Sequence, residues 1–249
     1  MGKKLIIRAD DLGYSRGVNY GILDSVNDGL IRTVGIMTNM DATEHGWRLI
    51  EKLDLCLGQH TNICIGRPIV DPALIPSITT SDGNFKSSRT YRSATQDFVV
   101  LDEVLLEIEA QYQRFLELVG RKPDYFEGHA IQSDNFFRGL EIVAKRHNLD
   151  YCPMQLDGTP WRFRNSLAYY QMEAWEPDYD PKAAILRAAQ AHKDACDIYV
   201  CHPGYLDAYI LEKSTMTKAR ALEVEAVRDP DLKLQLQKMG VKLVTFNDL

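Results

Sequence analysis

The stretch Lys4–Asn19, KLIIRADDLGYSRGVN, constrains this chain more than any other. Leu5, Ile6 and Ile7 form a mostly β-branched apolar run of the kind that fills a buried strand. Two adjacent carboxylates, Asp10 and Asp11, follow at once, then Gly13 as a turn residue and Ser15 as an N-cap for the next helix. Neighbours on a strand point to opposite faces, so the two acids are expected just past its end, where the turning chain aims both into one cavity. Carboxylates held that close repel and compete for one proton unless a cation sits between them. A buried strand ending in Asp-Asp therefore needs a cationic partner from elsewhere in the chain.

The segments that follow alternate in period. Ser15–Gly29 reads as a helix, 33–39 as a strand, Asp41–Lys52 as a helix and Leu55–Asn62 as a third strand. That order predicts right-handed parallel crossovers. Residues 66–100 break the rhythm with Pro68, Pro72, Pro76 and Gly83, and read as a lid or insertion loop. Asp102–Gly120 carries the clearest helical pattern, with Leu105, Ile108, Tyr112, Phe115 and Val119 on one face and Gly120 as its stop. A strand at 124–130, a helix at 135–147, a strand at 150–155, a helix at 181–193 and a strand at 197–202 follow. A helix at 215–228, a short helix and a strand at 241–246 close the chain; the aromatics of 161–175 fit core or pocket. The expected fold is α/β, a distorted (βα) barrel resembling a TIM barrel, with roughly seven parallel strands and a long loop after the third. No GxGxxG follows the first strand to suggest a dinucleotide crevice.

At 249 residues the chain fits one domain, 1–249. A net charge of −6 without a Lys/Arg cluster argues against nucleic acid and anionic membranes as partners. The start, MGKKLIIRADD, is too short in apolar residues for a signal peptide, and no run reaches the roughly 18 apolar residues of a membrane span. Five scattered cysteines without a CxxC pair read as reduced thiols, and the expected location is cytoplasmic.

The six histidines divide by setting. His45, His147 and His192 lie in polar helical contexts, where solvated roles are the default. His60, His129 and His202 end apolar strand runs, as Asp10 and Asp11 do. Catalytic groups of βα barrels come from the C-terminal ends of several strands, so these groups are expected to converge. A carboxylate and two imidazoles suit one divalent metal ion with open positions for water and substrate. The second carboxylate can take a proton from water, and nothing in the spacing says which Asp does which.

ADDLGYSRGVN, LGQHTNICIGRPI, CHPGY and the C-terminal RALEVEAVRDPDLKLQLQKMGVKLVTFNDL resemble the YdjC/ChbG carbohydrate deacetylases, in the same order from first strand to last residue. The resemblance implies a distorted βα barrel that removes acetyl groups from N-acetylated sugars, chitooligosaccharides among them, with a divalent cation (Mg2+ or Zn2+), commonly as a homodimer. By motif position it assigns Asp11, His60 and His129 as metal ligands, Asp10 as general base and His202 as the acid that protonates the leaving amine. One stretch departs from the family. Where a run beginning Asp-Ser-His-His-His is usual, this chain reads Glu127-Gly128-His129-Ala130-Ile131, which keeps the ligand position and loses its histidine neighbours. Tyr14, Phe136, Trp161 and Tyr205 are candidates for stacking on a sugar ring, and Arg67 for a polar substrate contact. Another metal-dependent amidohydrolase, a phosphoesterase and a non-catalytic metal- or sugar-binding protein are the alternative readings.

Overall fold

The computed structural model describes residues 3–129 and 131–249. In chain order its elements are β1 (Lys4–Leu12), α1 (Arg16–Asn27), β2 (Thr33–Ile36), α2 (Thr43–Ile50), β3 (Cys56–Thr61), α3 (Ser88–Ser93), α4 (Leu101–Val119), β4 (Tyr125–Gly128) and α5 (Asp134–His147). They continue with β5 (Trp161–Phe163), β6 (Ser166–Gln171), α6 (Pro181–Ala191), β7 (Cys196–Cys201), α7 (Ala208–Lys213), α8 (Lys218–Arg228), α9 (Pro230–Lys238) and β8 (Lys242–Leu243). One mostly parallel sheet runs in the order β4-β3-β2-β1-β7-β6-β5, with β8 beside the start of β1. It curls into a half-barrel with helices on its convex side.

The expectation of an α/β barrel-like sheet holds; closure and uniform strand direction do not. The 161–175 stretch folds as an antiparallel hairpin of β5 on β6, turned at Arg164, whose φ of 49° is left-handed. That hairpin forms one edge of the sheet and β4 the other, so the curl stays open. The strand expected at 150–155 is reduced to one bridge between Tyr151 and Phe126, and the last strand to two residues. α3 and α7 were not expected; each is six residues long, too short to show a helical period.

Side-chain alternation sorts the core into layers. Leu5, Ile7 and Ala9 of β1 pack outward with Val18, Ile22 and Val26 of α1. Ile6 points into the curl with Tyr125, Ile198 and Val200. Each fully buried Leu or Ile of these layers contributes roughly 1.5–3 kcal/mol through removal from water. α1 is capped as its sequence indicates, the Ser15 hydroxyl accepting from the Val18 amide at 3.2 Å. Its Gly21 has no room for a Cβ, which would lie 2.4 Å from the Gly204 Cα, so the helix sits directly on the turn after β7.

Residues 66–100 are irregular but packed. Ile75, Ile78, Phe85, Tyr91 and Val99 are buried against Val104 and Ile108 of α4. Glu107, fully buried on α4, accepts from the backbone amides of Ile69 and Val70 and from the Gln111 amide. No described helix is long and apolar enough to cross a membrane.

Candidate active site

Strand parity delivers most of the site. Arg8 and Asp10 share the concave face of β1 with Ile6; His60 shares that of β3 with Cys56, and Glu127 that of β4 with Tyr125. His129 and His202 stand one alternation beyond the ends of β4 and β7. The pairing of β3 with β4 puts His60 directly beside Glu127. Gly35 of β2 is the floor: a Cβ there would meet Asp10 Oδ1 at 3.0 Å and the His60 Cβ at 3.2 Å.

Asp11 breaks the alternation. Parity assigns it to the convex, helix-facing side, yet it joins Asp10 in the concave site. The acids are not past the strand's end, as the sequence suggests, because β1 continues to Leu12. The β1–β2 register slips between Ala9 and Leu12, and Asp11 has a φ of 77°. A bulge with a left-handed residue redirects a side chain across a sheet. A non-glycine residue in that region is uncommon and is held there by its surroundings.

Asp11 Oδ1, His60 Nε2 and His129 Nδ1 face one another at 2.8–3.2 Å. The opposite oxygen of Asp11 accepts from Arg220 Nη2 of α8 at 2.7 Å. His60 Nδ1 bonds Glu127 Oε1, which leaves Nε2 as the lone-pair nitrogen of a neutral ring. Asp11 Oδ1 is buried without a well-formed hydrogen bond among the described residues. The Asp11 oxygen and the His60 Nε2 lone pair at such a separation require a proton or a cation between them or from His129 beside them. A carboxylate and two imidazoles, one braced through its far nitrogen by a carboxylate, fit a divalent ion.

The electrostatics lead to the same requirement. Burial works against ionised Asp11, but Arg220 and the two imidazoles outweigh it and hold its carboxyl well below the ordinary range. Burial also disfavours charged His60, yet Glu127 and Asp10 overcome it and raise its pKa well above the usual histidine value. Asp10 is pushed up by burial and pulled back by Arg8, whose Nη2 lies 2.6 Å from its Oδ2. His202 lies outside the trio with Nδ1 buried and unpartnered among the described residues, and burial pushes its pKa down to about 4. Its backbone is pinned from α8, where Glu223 accepts from the His202 amide at 2.7 Å and Arg220 donates to its carbonyl at 3.3 Å.

Two cavities flank the trio and share His129. One, of about 700 Å³, is walled by Asp10, His60, His202, Tyr170, Met172 and Trp175. The other, of about 870 Å³, is walled by Tyr14, Arg67, His45 and Tyr209 among others. All five chemical residues expected from the sequence (Asp10, Asp11, His60, His129 and His202) thus sit together. The expected saccharide contacts divide. Tyr14 and Arg67 line the larger cavity. Phe136 is fully buried under Gly128 in the α4–α5 core and presents no face to a sugar. Trp161 packs against the core beneath the hairpin, and Tyr205 donates to Asp24 at 2.5 Å beside α1. Trp175, which sequence reading left between core and pocket, is 58% exposed on the cavity wall. Arg8 and Arg220 were missed. A charged residue two positions before Asp10 inside an apolar run was the available signal for Arg8; no local signal ties Arg220 to a site 209 residues away. Ala130, one of the departures from the histidine run, lies outside the described residues.

The comparisons agree with this architecture. "Carbohydrate deacetylase 2" of Listeria innocua is 31% identical, the match covering 99% of this chain and 98% of that one. "Chitooligosaccharide deacetylase" of Citrobacter koseri is 26% identical over the full length of both. The crystal structure of an Enterococcus faecalis protein, provisionally named for cellobiose-phosphate cleavage, superposes with a TM-score of 0.85 at 20% identity, over 100% of this chain and 99% of that one. A family 4 acetyl xylan esterase of Clostridium thermocellum, solved with a cobalt ion, shares the fold more loosely, with a TM-score of 0.53 at 13% identity over 99% of this chain and 89% of that one. The family model described as YdjC-like protein matches residues 4–238, and the chain belongs to that family.

Proposed function

We propose that the protein is a metal-dependent carbohydrate deacetylase that hydrolyses the acetamide of an N-acetylated sugar. The observation that carries this reading is the convergence of Asp11, His60 and His129 on one point, with Asp10 and His202 on the wall of the same cavity. Relatives named carbohydrate and chitooligosaccharide deacetylases along the whole chain support the substrate class.

Asp11, His60 and His129 hold the ion, and two imidazoles with a carboxylate favour Zn2+ or a neighbouring transition metal over Mg2+. A divalent ion there supplies Lewis acidity, acidifying water and stabilising negative charge on oxygen. Asp10, held by Arg8 and made more basic by burial, takes the proton of the attacking water. His202 rests as the neutral imidazole, since its pKa is about 4. When the proton reaches it, burial makes the imidazolium a strong acid, suited to protonate an amine that leaves poorly by itself. Glu223 and Arg220 hold the backbone of His202 from both sides, which fixes the ring's position. Trp175 and Tyr170 provide the aromatic wall for the sugar. The whole chain acts as one catalytic domain, and residues 66–100 form the wall of the larger cavity through Gly66, Arg67 and Phe85.

Protein purified without chelator is expected to carry one divalent ion and to release acetate from short N-acetylglucosamine oligosaccharides. Asp10→Asn should keep the ion and lose turnover by roughly 10²–10⁴-fold, and His202→Ala should do the same. Failure to bind any divalent ion, or an unchanged rate in Asp10→Asn, overturns the assignment.

A further inference from the structure

Groups able to hold a cation lie on both sides of the His60 ring. On the Nε2 side lie Asp11 and His129, the trio described above. On the Nδ1 side lie Glu127 Oε1 and, at 3.9 Å, Asp10 Oδ2. Asp10, His60 and Glu127 also present ligand atoms close enough to hold an ion, and all three are buried. Of the two Asp10 oxygens it is Oδ2 that faces this side, while Oδ1 lies over Gly35.

That second position is taken from within the chain. Arg8 Nη2 lies 2.6 Å from Asp10 Oδ2 and 3.5 Å from Glu127 Oε2. The Arg8 side chain is 1% exposed, and its guanidinium lies 5.6 Å and 5.7 Å from the ring centres of Tyr125 and Tyr170. Near-complete burial and cation–π contact with two rings hold it in place. Guanidinium keeps its charge at any pH the fold survives and sets that charge between the two carboxylates, on Asp10 Oδ2 and beside Glu127 Oε2. Arg8 and Asp10 sit two apart on one strand face, so sequence spacing alone brings them together.

We propose that Arg8 is a built-in counter-cation, filling a second cation position between the carboxylates of Asp10 and Glu127 beside the Nδ1–H of His60, so that the centre takes one exchangeable ion and not two. The inference rests on the metal-centre reading above, and it makes Arg8 a positioning residue for both Asp10 and the ligand His60. Lysine at this position keeps the charge; glutamine removes it and leaves both carboxylates facing an empty gap.

Titration of the metal-free protein with Co2+ alone, followed by calorimetry and visible absorption, counts the ions and reports their ligand sets. The wild type and Arg8→Lys are expected to bind one equivalent, and Arg8→Gln two. The second equivalent should have a distinct spectrum and vanish when Glu127→Gln is added to Arg8→Gln. A single equivalent in Arg8→Gln, or a second one that survives Glu127→Gln, overturns the proposal. No binding to the wild type would instead overturn the metal-centre reading. If Arg8→Gln folds only when refolded with Co2+, recovery with two bound ions supports the proposal, and recovery with one, or none at all, overturns it.

Discussion

Arg220→Met keeps much of the side-chain volume and removes the charge that faces Asp11. In the wild type, Arg220 Nη2 lies 2.7 Å from Asp11 Oδ2, with the two side chains 3% and 0% exposed. Its other nitrogens donate to the backbone carbonyls of Met216 and His202. Removing one partner of a buried pair leaves the other charge uncompensated, at a cost of about 3–5 kcal/mol. Unfolding entropy of about 2.1 cal/mol/K per residue gives about 0.5 kcal/mol/K for 249 residues, so a loss near 4 kcal/mol lowers Tm by roughly 8 °C. Calorimetry of the metal-free protein measures this directly. Arg48→Met is the control, because its pair with Glu44 is 73% and 56% exposed and such pairs contribute under about 1 kcal/mol. Saturating Zn2+ should restore part of the deficit, since a cation opposite Asp11 replaces part of the missing charge. If metal-free Arg220→Met melts within about 2 °C of wild type, or if its effect simply adds to that of Asp11→Asn, the buried pair is not what holds Asp11 in place.

Two further outcomes follow from the same geometry. Glu127→Gln removes the negative charge behind His60 Nδ1 and is expected to weaken metal affinity by about 10–100-fold, measured by competition with a chelator; unchanged affinity would remove Glu127 from the site. Burial pushes the Glu107 carboxyl from 4.5 up to about 7, so the folded state holds its proton more tightly. That stability is full below about pH 4.5 and fades as pH rises to about 7, a change of roughly 3 kcal/mol at 1.36 kcal/mol per unit. The difference in unfolding free energy between wild type and Glu107→Gln, taken across this range by urea titration, should show the decline; parallel curves would refute it.

Strand, helix and site positions were legible to different depths. The helices α1, α4 and α5 emerged with bounds within a few residues because each carries an apolar stripe ended by a cap or glycine. Strand-end placement was enough to collect His60, His129 and His202, because parallel strands in one sheet end on the same side. The hairpin of β5 and β6 stayed hidden, since its aromatics are shared between core and cavity and carry no clean period. Phe136 misled for a related reason: an aromatic near a candidate ligand looks the same in one dimension whether it faces a sugar or, as here, packs against Gly128.

Local periodicity carried what depends on neighbours in the chain: an α/β fold, a pair of adjacent acids closing a buried apolar run, and a cluster of strand-end histidines. Tertiary structure alone decided what depends on partners far away. The bulge at Asp11 exists because β2 pairs out of step with β1, and the residue stays left-handed while Arg220, His60 and His129 hold its carboxylate. Whether two adjacent acids diverge or converge was settled there, because parity is written in sequence spacing and its violation is written only in the pairing of strands.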